Sequence, residues 1–204
     1  MMARKREPIL MLTAAAAVVA GFLLGPAAYR YVTAGGALIE KQAAVGGAFS
    51  LVDHTGRIVS NTDFEGKPLA LVFGFTHCPE VCPATLVHMA GWIDALGADA
   101  EKMHFAFISV DPERDTRERM AEYMAAFDPR IVALTGSPEQ VKTSTRAYRV
   151  YVRKVDTGGG DYTVDHTAVT YVMDRHGRFV TMINYNEDPD KAVAKLRQAI
   201  AGRS

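Results

Sequence analysis

Two kinds of pattern alternate along the chain: short, nearly unbroken apolar runs, and longer stretches in which apolar residues recur every three or four positions. Leu69-Ala-Leu-Val-Phe-Gly-Phe75 is of the first kind and predicts a strand buried on both faces, as in a parallel sheet. Leu86, Met89, Ala90, Ile93 and Leu96 are of the second kind, a helix that Gly97 stops. Residues 105–110 predict the next strand. Met120, Tyr123, Met124 and Phe127 mark the buried stripe of a helix that Asp128-Pro129 ends, and residues 131–134 form a short strand. Ser137-Pro-Glu-Gln140 is a capping box with proline at the first helical position. Residues 150–155 and 162–164 read as strands around Gly158-Gly-Gly160, and residues 169–173 and 178–183 as a hairpin about Asp174-Arg-His-Gly177. Asp188-Pro189 opens a last helix with Val193, Leu196 and Ile200 on its apolar face. At the other end, residues 48–52 and 57–60 predict a β-hairpin about Asp53-His-Thr-Gly56. The order implies an α/β domain, a central sheet flanked by helices behind an N-terminal hairpin.

The first thirty residues follow another rule. Arg4, Lys5 and Arg6 precede a run from Ile9 to Ala28 with no charge, and Arg30 closes it. Such a run can span a bilayer core of ~30 Å, with the basic cluster kept cytoplasmic and everything after Arg30 exported. A cleaved signal peptide, with Ala27 and Ala28 at the cleavage site, is the rival reading. The expected organisation is therefore a cytoplasmic tip and transmembrane anchor (or signal peptide) at 1–30, a linker with Gly35, Gly36, Gly46 and Gly47 at 31–47, and the folded domain at 48–204. Among the 204 residues, Lys+Arg and Asp+Glu balance at 23 each, so nothing asks for a nucleic-acid partner. The expected compartment is one in which thiols oxidise readily.

The chemistry concentrates where the long apolar strand ends. Cys78 and Cys82, the two cysteines of the chain, lie between that strand and an amphipathic helix. A disulfide enclosing so few residues would add little stability, so the thiols are read as a site: a redox pair or part of a metal centre. Since a residue before proline avoids the α region, the helix is expected to begin at Pro83, with Cys82 near its cap and Cys78 in a loop over its start. Amide groups and the helix dipole there should lower both thiol pKa values. Thiolates select Cu(I) or Zn(II), and imidazole suits either. His166, leading into residues 168–173, is the best-placed third ligand; a histidine satisfied by hydrogen bonds at a strand end is the plain alternative. His77 is read as structural, His54 and His176 as solvated turn residues, His88 and His104 as surface or packing residues, and Met120 and Met124 as core. Asp111, Glu113, Arg114, Asp115, Arg117, Glu118 and Arg119 read as a solvated mixed-charge face.

Gly74-Phe-Thr-His-Cys-Pro-Glu-Val-Cys-Pro83, followed by Ser109-Val-Asp-Pro-Glu-Arg-Asp115, Phe127-Asp-Pro-Arg130, Tyr148-Arg-Val-Tyr151 and Val164-Asp-His-Thr167, resembles the SCO/SenC family of copper proteins over residues 47–184. Thr116-Arg117, where the family often continues with proline, is a departure outside the site. The resemblance implies a thioredoxin-like fold and one bound copper, Cu(I) or Cu(II), held by Cys78, Cys82 and His166; Asp165, by adjacency to His166 alone, is a candidate supporting group. It also implies a role in assembling the binuclear copper centre of cytochrome c oxidase. The expected partners are the copper-bearing oxidase subunit and a further periplasmic copper chaperone, and the expected setting is a bacterial inner membrane, single-pass, with the domain in the periplasm. A thiol-disulfide oxidoreductase acting through Cys78 and Cys82 on the cysteines of that centre is the alternative; a peroxidase-like or redox-sensing thioredoxin relative and a zinc site are further rivals.

Overall fold

The computed structural model describes residues 45–202. The apolar run read as an anchor and most of the linker lie outside the described residues, and among those described no helix is long and apolar enough to cross a membrane. Strands β1 (Ser50–Asp53) and β2 (Ile58–Ser60) form the predicted antiparallel hairpin. Then β3 (Leu69–Gly74), buried at every position, runs parallel to β4 (His104–Ser109), with α1 (Val81–Leu96) as the crossover. A second crossover helix, α2 (Arg117–Met124), leads to β5 (Ile131–Thr135), parallel to β4. Met120 and Met124 are buried as expected, although α2 ends before Phe127. Helix α3 (Pro138–Ala147) starts in the predicted capping box: Gln140 N–H donates to Ser137 Oγ and Ser137 N–H to Gln140 Oε1.

The chain then leaves the main sheet. Strands β6 (Val152–Gly158) and β7 (Asp161–His166) pair only with each other. The reason is visible in β6, where Arg153, Lys154 and Asp156 leave no apolar face to bury. The chain returns through β8 (Val169–Met173) and β9 (Phe179–Asn184) and ends in α4 (Pro189–Ile200). One side chain ties the β8–β9 turn: Asp174 accepts from the N–H groups of His176 and Arg178, while Gly177 takes a φ of 71°, a conformation that side chains resist. Asp53 ties the first hairpin in the same way, through the N–H groups of Thr55 and Arg57.

The main sheet has seven strands in the order β2-β1-β5-β4-β3-β8-β9. Its middle, β5-β4-β3, is parallel, and β1 and β8 join it antiparallel. Helix α1 packs against α4, α2 against β5 and α3 against β1. Leu71, Phe73, Leu86, Met89, Ile93, Phe105 and Phe107 form the centre of the core.

Candidate functional site

Strand register decides which residues meet. Strands β3 and β4 end level, Gly74 opposite Ser109, so the loops at 75–80 and 110–116 leave one edge of the sheet side by side. Strand β8 runs antiparallel to β3 with Thr170 opposite Val72, so the chain entering β8 from the ribbon arrives at that same edge. His166 is the last residue of β7, not the first of the strand that follows, and β8 begins only at Val169. Its Nε2 lies 3.8 Å from Cys82 Sγ, joining residues 84 positions apart. The edge is the carboxyl end of the parallel strands, where open α/β sheets bind ligands.

The cysteine loop departs from expectation in two respects. Helix α1 begins at Val81, so Cys82 is its second residue and Pro83 its third, rather than Pro83 its first. First-turn N–H groups have no intrahelical acceptor, so proline there forfeits no bond. The N–H of Cys82 is itself taken by Cys78 Sγ at 3.3 Å, which offsets the disfavoured backbone before proline. Nor are the thiols alike. Cys78, half-buried, receives a hydrogen bond from the Cys82 thiol and further ones from the backbone amides of Cys82, Glu80 and Val81, and its pKa falls to about 5 although partial burial opposes this. Cys82, only 3% exposed, moves upward instead: it donates that thiol bond, it is buried, and the negative charges of Cys78 and Asp115 add to the effect. Gly74 makes the arrangement sterically feasible. A Cβ there would lie 2.5 Å from the Phe107 ring and 2.8 Å from Cys82 Sγ.

His166 is oriented by a backbone group. Its Nδ1 is 3.0 Å from the Thr167 carbonyl oxygen, and donating there leaves the Nε2 lone pair facing Cys82. The ring meets Phe75 edge-on at 5.8 Å. Asp165 does not support the ring; it turns outward to an exposed ion pair with Arg153 at 2.6 Å. Adjacency in sequence misleads here because consecutive strand residues point to opposite faces.

The acidic loop after β4 corrects a larger misreading. Asp111 and Asp115, taken for part of a solvated face, are both fully buried. Asp115 accepts from Ser109 Oγ at 2.6 Å, Thr76 Oγ1 at 2.7 Å and Thr76 N–H at 3.1 Å, which fixes the base of the cysteine loop. Burial raises its pKa while these bonds pull it down. Asp111 accepts from the Tyr162 hydroxyl at 2.7 Å and from Arg114 Nε. Glu113, Arg117 and Glu118 do face solvent. The available signal was position, since polar residues directly after a parallel strand stand at the ligand-binding edge.

Among the other histidines, His77, His88 and His176 are exposed and His104 packs edge-on against Phe64. His54 is not the solvated residue expected, for its Nδ1 accepts from the N–H of Ala133 at 3.3 Å. Cys78 and His166 line an open cleft of about 330 Å³ together with Phe75, Pro79, Val81 and Tyr151, and Cys82 lies buried behind them, in contact with His166. A thiolate in its wall, a thiol beneath and an imidazole opposite can act as soft metal donors or as a nucleophilic dithiol. Among the described residues no three His, Cys, Asp or Glu side chains are already gathered as a metal-holding set, although Cys82 and His166 stand at a separation that one ion could bridge.

Comparison with known proteins gives a consistent answer. The family model for SCO1/SenC matches residues 38–201. Protein SCO1 homolog 1, mitochondrial, of Arabidopsis thaliana is 42% identical over 165 residues, 77% of this chain and 48% of that protein, so the chain spans about half the relative's length. The structure of Bradyrhizobium japonicum ScoI with copper bound is 46% identical with a TM-score of 0.72, covering 76% of this chain and 99% of that one. Yeast Sco1 with copper bound is 33% identical with a TM-score of 0.73, covering 79% and 91%.

Proposed function

Because the chain belongs to the SCO1/SenC family, with its thioredoxin-like fold, we propose that it binds one copper ion through Cys78, Cys82 and His166 and serves in the assembly of cytochrome c oxidase. The observation that carries this reading is the meeting of His166 Nε2 and Cys82 Sγ at 3.8 Å, across 84 positions of sequence. A sulfur and a nitrogen ligand of one ion, bonded at about 2.3 and 2.1 Å, stand roughly 3.6–3.8 Å apart at tetrahedral to trigonal angles. The donor chemistry fits as well: two sulfurs and an imidazole suit Cu(I), with zinc as the competing ion. Copper here is cargo. The cleft leaves one side of the site open, so donors of the copper-bearing oxidase subunit can replace those of this protein by exchange, and a second copper chaperone can load the site by the same route.

Metal analysis and absorption spectroscopy of the full-length protein test the reading, wild type beside His166→Ala. One copper per chain is expected for wild type and a strongly weakened affinity for the variant; undiminished affinity without His166 overturns the three-donor site.

A second reading rests on the Cys78 thiolate. Its sulfur can attack a disulfide of the oxidase subunit, releasing one partner thiol and forming a mixed disulfide; Cys82 then displaces the second partner thiol and leaves a Cys78–Cys82 disulfide. This reduction needs no imidazole. A mixed disulfide trapped with the subunit by Cys82→Ser supports it, and a reduction potential well above that of the target argues against it. The proposal extends to the compartment, with residues 1–30 as a single-pass inner-membrane anchor, 31–47 as a tether and 48–204 as the periplasmic domain. Protease access to the domain in spheroplasts tests that topology.

A further inference from the structure

His166 is carried by a ribbon that shares no backbone ladder with the main sheet, and little apolar surface holds it in place. In β7 only Val164 is buried, and in β6 no residue is. The polar contacts of the ribbon are concentrated on one short loop. The Tyr162 hydroxyl donates to Asp111 at 2.7 Å, and Arg114 Nη1 donates to the Tyr162 carbonyl at 2.8 Å and to Asp161 at 3.2 Å. The Arg114 guanidinium also lies over the Tyr162 ring, 3.8 Å from its centroid, while Lys154, paired with Glu113 at 2.6 Å, approaches that ring at 4.6 Å. Arg114 Nε is bonded to Asp111, which is fully buried, and the Arg114 side chain is 18% exposed. Shielding from water makes these contacts stronger than their surface counterparts.

Residues two apart on a strand share a face, so Tyr162, Val164 and His166 all turn the same side of β7 toward the domain. A grip on Tyr162 therefore sets the depth and tilt of His166. The other end of the gripping loop holds the thiols, because Asp115 bonds Thr76 at the base of the cysteine loop. Five residues, Asp111 to Asp115, thus touch both halves of the site. We propose that Arg114, with Asp111 and Tyr162, is a positioning device that keeps His166 within ligating distance of Cys82. The proposal rests on the three-donor reading above.

Cu(I) affinity, measured on the full chain by competition with a chromophoric chelator, tests it for Arg114→Met and for the milder Tyr162→Phe, which keeps the ring and loses one hydrogen bond. Each substitution is made in the wild-type and in the His166→Ala background. Supporting groups of metal ligands typically alter affinity by 10–100-fold, so Arg114→Met is expected to weaken Cu(I) binding roughly 10-fold or more and Tyr162→Phe by less. Neither should weaken it further once His166 is gone. In Arg114→Met the thiolate-to-Cu(II) absorption band should move toward that of His166→Ala. Equal losses in both backgrounds, or no loss in either, overturn the proposal. If His166→Ala alone leaves the affinity unchanged, the three-donor reading falls and takes the proposal with it; if His166→Ala weakens binding and neither clamp variant does, only the clamp is refuted.

Discussion

The loop from Phe75 to Glu80 leaves a strand without one exposed residue and enters a helix whose Leu86, Met89 and Ile93 are wholly buried. Across the cleft, β6 exposes six of its seven residues, and β7 reaches the domain mainly through Tyr162, Val164 and His166. The thiols are thus set by close packing, which resists displacement. The imidazole is set by hydrogen bonds, an ion pair and a cation over a ring. Close packing fixes one half of the site as firmly as the core itself; polar contacts hold the other half in a way that can be released locally.

The sharpest test of that division is the acidity of Cys78. Its pKa is lowered from 9.0 to about 5 chiefly by the Cys82 thiol and by amides of its own helix start. The thiolate therefore predominates above pH 5 and is lost tenfold per unit below it. Alkylation rates of the metal-free protein should follow a midpoint near 5, the same in wild type and in His166→Ala; a midpoint that moves with His166 would merge the two halves. Next in size is Asp115→Ala, which strands the Thr76 amide and the Thr76 and Ser109 hydroxyls. With ~1–3 kcal/mol for each buried group left unpaired, partly relieved by water, a loss of about 3 kcal/mol in urea unfolding is expected. Gly74→Ala drives a methyl group against Phe107 and Cys82. Overpacking of this kind costs about 1–3 kcal/mol, and the melting temperature should fall accordingly. At the bottom of the scale, Arg153→Ala breaks only an exposed pair with Asp165. Neither stability nor copper affinity should change measurably, unlike Arg114→Met, whose target is buried.

What the sequence reveals about this molecule follows the same division. Apolar runs, the two Asp-x-x-Gly turns and the Ser137 capping box are local signals, and each forms where expected. The meeting of Cys82 with His166 could be anticipated because thiols and imidazoles are few in the chain and bracket strands. Pro83 misled because the restriction before proline is a preference, and the first helical turn has no hydrogen bond for proline to break. Asp111 and Asp115 misled for a different reason. Mixed charges in a row look solvated, and their burial depends on Thr76, Ser109 and Tyr162, as many as 51 positions away, which no local pattern can supply. Asp165 was favoured by adjacency, while the group that faces the ring is the carbonyl of Thr167, invisible to any reading of side chains.

Cys82 lies beneath the cleft, whereas Cys78 and His166 stand in its wall. Depth of this kind imposes an order of events. A ligand arriving from solvent meets the outer sulfur or the ring before the inner sulfur. On the copper reading proposed above, donors of the receiving protein would then replace the outer sulfur and the ring first, and Cys82 last.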